Sequence, residues 1–187
     1  MTRKRTDGPF VLPIRDIARQ PGQMREFSLT VPAPEKWGEG LLSVAADDPV
    51  DVQVRLESVH EGILVSAEIQ ATASGVCGRC LTDITQPVEV EFQELFGYSG
   101  DEAIDFEVQD DHVDLETPVR DAIVLSLPFQ PVCQPDCPGL DPVSGEKLAP
   151  GTVLEHPIDE RWAALKAYTS DHDADASRGV ADNTEKS

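Results

Sequence analysis

The sequence contains no apolar run near the roughly 20 residues that a membrane span requires, and its first residues carry no apolar signal core. The chain is therefore expected in the cytoplasm and off the membrane, where thiols stay reduced and paired thiols point to metal or redox chemistry before structural disulfides. Cysteine itself is scarce, with 4 in 187 residues. Positive charge is short as well: 15 basic residues stand against 35 acidic ones, for a formal net charge of −20. An acidic body repels phosphate backbones, which argues against DNA as a partner and against broad electrostatic binding to any nucleic acid. There is no Gly-rich phosphate loop, no Gly-x-Ser-x-Gly elbow and no internal repeat. Those absences remove the commonest sequence signals for nucleotide and acyl-transfer chemistry.

What is present supports one globular domain, since 40% of the residues are hydrophobic and the length suffices to bury a core. The expected organisation is a disordered basic arm over 1–9, a single domain over 10–168, and a disordered acidic tail over 169–187. Charge is uneven along the chain. Arg3, Lys4, Arg5, Arg15, Arg19 and Arg25 fall within the first 25 residues against Asp7 and Asp16 alone. Such a basic arm reads either as a solvated tail or as a contact for RNA or an acidic surface.

Phe10–Ile17 reads as an extended segment followed by one loose turn, because Pro13 interrupts any helix. Phe27, Leu29 and Val31 alternate with Ser28 and Thr30, a half-buried strand closed by Pro32 and Pro34. The cleanest period of two runs from Val50 to Glu57, and it repeats from Ile63 to Ala71 after the turn at His60-Glu61-Gly62, predicting a β-hairpin with one wet face. Pro87–Phe96 alternates again, through Phe92. Asp101–Glu116 is read as a solvated acidic loop with a short strand near Ile104–Phe106, lacking calcium-loop geometry. Thr117-Pro118 predicts a helix start with Thr117 as cap, and Val119, Ala122, Ile123 and Leu127 share one face up to Pro128. A terminal helix is expected over Ile158–Tyr168. The fold class is thus α+β: a mainly antiparallel sheet or partly open barrel, one packed amphipathic helix at about 118–127 and a C-terminal helix.

Cys77-Gly78-Arg79-Cys80 joins two strand-like runs, and Cys133-Gln134-Pro135-Asp136-Cys137 follows the amphipathic helix. A C-x2-C turn and a C-x3-C turn, far apart in sequence, are what a tetrahedral zinc site uses, each turn giving two sulfurs at about 2.3 Å from the metal. Zn²⁺ held by Cys77, Cys80, Cys133 and Cys137 would be structural, because four thiolates close the shell. Two reduced thiol pairs that never meet remain open as an alternative. So does a thiol-dependent oxidoreductase or metal-delivery role for Cys77 and Cys80, weakened because redox Cys-x-x-Cys pairs sit at helix N-termini. His60, His112, His156 and His172 all fall in turns, loops or the tail, so none is nominated as a general base.

Taken in order, Arg25-Glu26-Phe27, Leu56–Gly62, Cys77–Leu81, Val119–Pro128, Cys133–Leu140 and Asp159–Leu165 resemble the YceD family in its actinobacterial form, over about Phe10 to Tyr168. The resemblance implies a cytoplasmic, non-enzymatic factor in large ribosomal subunit biogenesis, needed for 23S rRNA accumulation and usually encoded beside a small protein of that subunit. For such a factor, the acidic body favours a large-subunit ribosomal protein or an assembly factor as partner, and the basic arm leaves direct 23S rRNA contact as a further route. Many cysteine-containing relatives carry another C-x2-C after the segment matching Cys137–Leu140, where this chain has Asp141 and Ser144. A four-thiolate site must therefore join both turns, or Asp141 must add an oxygen ligand. Other relatives lack these cysteines, which implies that metal is not the family's shared function.

Overall fold

A strand turns successive side chains to opposite faces, so the alternating runs dictate where a sheet can bury one side. A computed structural model describes residues 8–98 and 105–152, together with Arg161. Among these are β1 (Val11–Pro13), β2 (Met24–Pro32), β3 (Leu42–Ser43), β4 (Pro49–Ser58), β5 (Gly62–Val76), β6 (Asp83–Gly97), β7 (Phe106–Glu107), β8 (His112–Asp114) and α1 (Glu116–Ser126). The chain divides into two units, Met1–Pro150 and Gly151–Ser187. The fold described here is that of the first.

The main sheet runs β2-β4-β5-β6-β7, with β3 paired to β5. Every pairing in it is antiparallel except β6 with β7. The sheet stays open and does not close into a barrel. A second, two-stranded ladder pairs β1 with β8. Along β4, Val50, Val52, Val54 and Leu56 are buried while Asp51, Gln53 and Arg55 are exposed. Register sets Val52 opposite Ile69 and Leu56 opposite Val65, so the buried faces of β4 and β5 are continuous. Each such side chain contributes about 1.5–3 kcal/mol when fully buried.

Three elements complete the core over that face. The first segment brings Phe10, Leu12, Ile14 and Ile17; α1 brings Val119 and Ile123; and Trp37 packs with its ring centroid 5.8 Å from that of Phe10. The helix is 11 residues long, about 16 Å, and gains its stability from this packing rather than from propensity.

Several expectations change. The helix begins at Glu116, with Leu115 as N-cap residue and no cap from a side chain of its own. Thr117 therefore lies inside the first turn, and the Glu116 N–H donates to the Asp114 carboxylate instead, at 3.0 Å. Pro118 is still tolerated, because the first turn's N–H groups lack intrahelical partners. The end is as expected: Leu127, placed before Pro128, is extended at φ −64° and ψ 130°. The acidic stretch is more structured than composition suggests, for β8 pairs with β1 and buries Val113, followed by Leu115. Two isolated apolar residues are too few to show a period. The segment around Trp37, which shows no period either, is held by reciprocal backbone hydrogen bonds with Val44, both 2.9 Å. Apart from Arg161, the expected C-terminal helix lies outside the described residues, as do the acidic tail and residues 1–7 of the basic arm. No helix among the described residues is long and apolar enough to cross a membrane.

Candidate metal centre

The first thiol turn is the tip of the β5–β6 hairpin. Cys77 N donates to Thr82 O at 2.8 Å and Leu81 N to Cys77 O at 3.0 Å, with Leu81 in the left-handed region at φ 56°. This closes a tight loop and turns the sulfurs of Cys77 and Cys80 to one side. Gly75 lets β3 approach the hairpin, since a Cβ there would collide with the Leu41 carbonyl. The second turn follows α1, with Cys137 N donating to Gln134 O at 3.1 Å and Gly139 at φ 86°.

The two turns are fastened by more than thiols. Gly78 N donates to Pro131 O at 2.8 Å. The Arg79 guanidinium, between the first two cysteines, donates to Pro135 O at 3.3 Å and Cys137 O at 3.1 Å. All four sulfurs then lie within 4.8 Å of one another. Cys77 Sγ is 3.9 Å from Cys137 Sγ, and Cys80 Sγ is 3.7 Å from Cys133 Sγ. Sulfurs at about 2.3 Å from a tetrahedral metal stand about 3.8 Å apart, whereas a disulfide needs about 2.05 Å. The set is compatible with one metal ion, and none of the four sulfurs is bonded in a disulfide. The structure brings the two thiol pairs together.

The electrostatics are uneven. Burial pushes the Cys77 thiol up, but backbone donors at Cys80, Arg79 and Cys133 outweigh it and bring its pKa down to about 6. Cys80 is lowered chiefly by the Thr82 hydroxyl, 3.1 Å from its sulfur. Lys147 Nζ donates to Thr82 Oγ1 at 2.8 Å, which leaves that hydroxyl free to donate to the thiolate. Cys133 is driven up to about 12 by its hydrogen bond with Cys137, then by desolvation of its inward-turned sulfur and by the other thiols, although the residue as a whole is exposed. Cys137 is raised by burial. Three sulfurs are buried and Cys133 is exposed. Four thiols this close cannot all ionise without a cation among them, and a metal is the cation that suits sulfur.

Residues 65–168, which contain both turns, match the family described as "Large ribosomal RNA subunit accumulation protein YceD". The chain belongs to the YceD family. Its relatives include an uncharacterized protein of Mycobacterium tuberculosis, 42% identical over 84% of this chain and 80% of the relative. An uncharacterized protein of Mycobacterium leprae is 34% identical over 88% of this chain and 79% of its own length. The uncharacterized YlbN of Bacillus subtilis is 25% identical over 86% and 96%. No solved structure matches the chain.

Within this YceD chain, Asp141 is not placed as a ligand. Its Oδ1 accepts from Val143 N at 2.7 Å and Ser144 N at 2.9 Å, and so shapes the turn that returns the chain through the Leu140–Lys147 bridge. Among the described residues, the one group of metal-ligating side chains is the four cysteines. His60 is exposed in the β4–β5 turn, and His112 Nδ1 lies 2.7 Å from Asp110 O. His156 and His172 lie outside the described residues. No sequence pattern assigns Arg79, Thr82 or Lys147 a part in the site. Arg79 adjoins Cys80 and Thr82 lies two residues beyond it, but no periodicity announces a hydrogen-bond partner, and Lys147 is separated from Cys80 by β6, β7, β8 and the helix.

Proposed function

We propose that this protein is a non-enzymatic factor in large ribosomal subunit biogenesis, acting in the cytoplasm to support 23S rRNA accumulation. Membership of the YceD family carries this reading. The net charge of −20 favours a basic ribosomal protein or assembly factor as the immediate partner, held until RNA competes for it. Arg3, Lys4 and Arg5 offer a secondary contact with 23S rRNA. Affinity purification of the full chain from growing cells, with identification of the retained RNA and proteins, tests the proposal. Ribosomal proteins or precursor rRNA are expected, and recovery of neither overturns it.

The four cysteines, in this reading, hold one structural Zn²⁺. Four thiolates around Zn²⁺ leave a net negative site, which Arg79 and Lys147 offset from outside the sulfur shell. One zinc per chain is expected by elemental analysis, released by a chelator only with unfolding of the cysteine loops.

Cys77, at about 6, favours a second reading as a thiol oxidoreductase or metal-delivery protein using Cys77 and Cys80. Against it, Cys77 is completely buried on a turn that joins strands, not at a helix N-terminus. Rapid alkylation of Cys77 or free exchange of bound metal in the folded protein would support that second role. Slow alkylation together with non-exchangeable metal removes it.

A further inference from the structure

The side of the main sheet turned away from the core forms a trough of about 940 Å³. No described element covers it. Its acidic residues include Glu26, Glu57, Glu68 and Glu91, against one base, Arg55, which pairs with Glu57 at 3.8 Å. Asp51 and Glu89 stand on the same face by alternation. The two aromatic residues at the trough, Phe27 and Phe92, stand opposite Val54 and Ala67 and pack against the core, so the outward-facing positions of β2, β4, β5 and β6 offer no ring on which a nucleic-acid base could stack.

Register adds a separate observation. Glu68 of β5 lies directly opposite Glu91 of β6. Like charges in directly opposed positions destabilise a sheet, and a cation between them converts that repulsion into attraction. Around the pair the floor is ordered: Gln93 Nε2 donates to Ser66 Oγ at 2.9 Å and Gln53 Nε2 to Ser28 Oγ at 2.8 Å. Neighbouring strands stand about 4.8 Å apart, and same-face residues along a strand about 6.8 Å. An extended chain with a basic residue at every second position presents its cations at that same spacing.

Resting on the function proposed above, we infer that this trough is the docking surface for an extended Lys/Arg-rich segment of a protein partner, with Glu68 and Glu91 at its centre. Charge complementarity selects the occupant, and it rejects RNA because phosphates meet carboxylates there.

The test uses the full chain and a synthetic peptide of about twelve residues alternating Lys and Ser, chosen to match the strand spacing. Binding is measured by calorimetry at low salt for the wild type, for Glu68→Gln with Glu91→Gln, and for Glu35→Gln with Glu39→Gln. Glu35 and Glu39 are exposed and lie outside the main sheet, and both double variants change net charge equally. The trough variant is expected to bind about tenfold more weakly, and the distal variant within about twofold of wild type. Melting temperature should not fall in the trough variant, which shows that lost binding is not lost folding. Equal losses in both variants, no wild-type binding, or tighter binding of a single-stranded RNA than of the peptide at this face overturns the proposal. Purification from cells separates the two claims. If wild type and the trough variant retain ribosomal components equally, the docking surface is wrong and the biogenesis reading stands. If wild type retains none while peptide affinity still falls at the trough, the reverse holds.

Discussion

Strands β5 and β6 belong to two regions stabilised by different means. Along most of their length they contribute Ile63, Val65, Ile69 and Phe96 to an apolar core shared with β4, α1 and the first segment. At their tip they enter a small cluster whose buried members are Cys77, Cys80 and Cys137, with Ile84, Val132 and Leu140 beside them. Ile84 packs against both clusters. The first region is held by area removed from water, and a few substitutions would weaken it by degrees. The second buries far less apolar surface, and the 128–148 segment is held there by the hydrogen bonds from Gly78 and Arg79 and by whatever joins the sulfurs. One hairpin thus carries a cooperative core and a chemically conditional clamp.

The sharpest way to break this comparison is at the clamp. Cys77→Ser is expected to abolish stoichiometric metal and cost about 4 kcal/mol, as loss of a structural metal does. Cys133→Ser should cost a similar amount although Cys133 is exposed. Denaturant unfolding with elemental analysis checks both, and destabilisation by one substitution only would mean that the turns are not joined through a metal. In the core, Leu56→Ala should cost about 3 kcal/mol while leaving metal content unchanged, since Leu56 contributes only to the apolar cluster. Loss of metal in that variant would show the two regions to be one cooperative unit.

Smaller effects sharpen the boundary. Arg79→Ala removes the guanidinium's hydrogen bonds to Pro135 O and Cys137 O, and should cost about 1.5 kcal/mol and speed metal loss to a chelator, followed by competition with a coloured metal indicator. At the far end of the scale, Glu68→Gln should raise stability by a few tenths of a kcal/mol by relieving the opposed pair with Glu91, read as a small rise in Tm.

The alternating runs at Val50–Glu57 and Ile63–Ala71 were legible because one wet face leaves a strict period of two. The helix was legible from its apolar face and from Pro128, yet its start was displaced: Asp114 and Thr117 are both plausible local acceptors, and the β1–β8 ladder favours Asp114. β8 and the Trp37 segment left no pattern, since each depends on partners brought from elsewhere in the chain. At the site, spacing nominated all four thiols. It could not show that Arg79 bridges to the second turn or that Asp141 is occupied in shaping its own loop.

The sequence by itself determined the wet and dry faces of the sheet, the two thiol turns, the acidic character and the family, because each is written in neighbouring residues or in bulk composition. Tertiary structure alone decided that four sulfurs from turns 53 residues apart at Cys80 and Cys133 share one site, and that Glu68 faces Glu91. Both facts depend on strand register and on the path of the chain after α1, which are fixed by packing over the whole core and by no local preference.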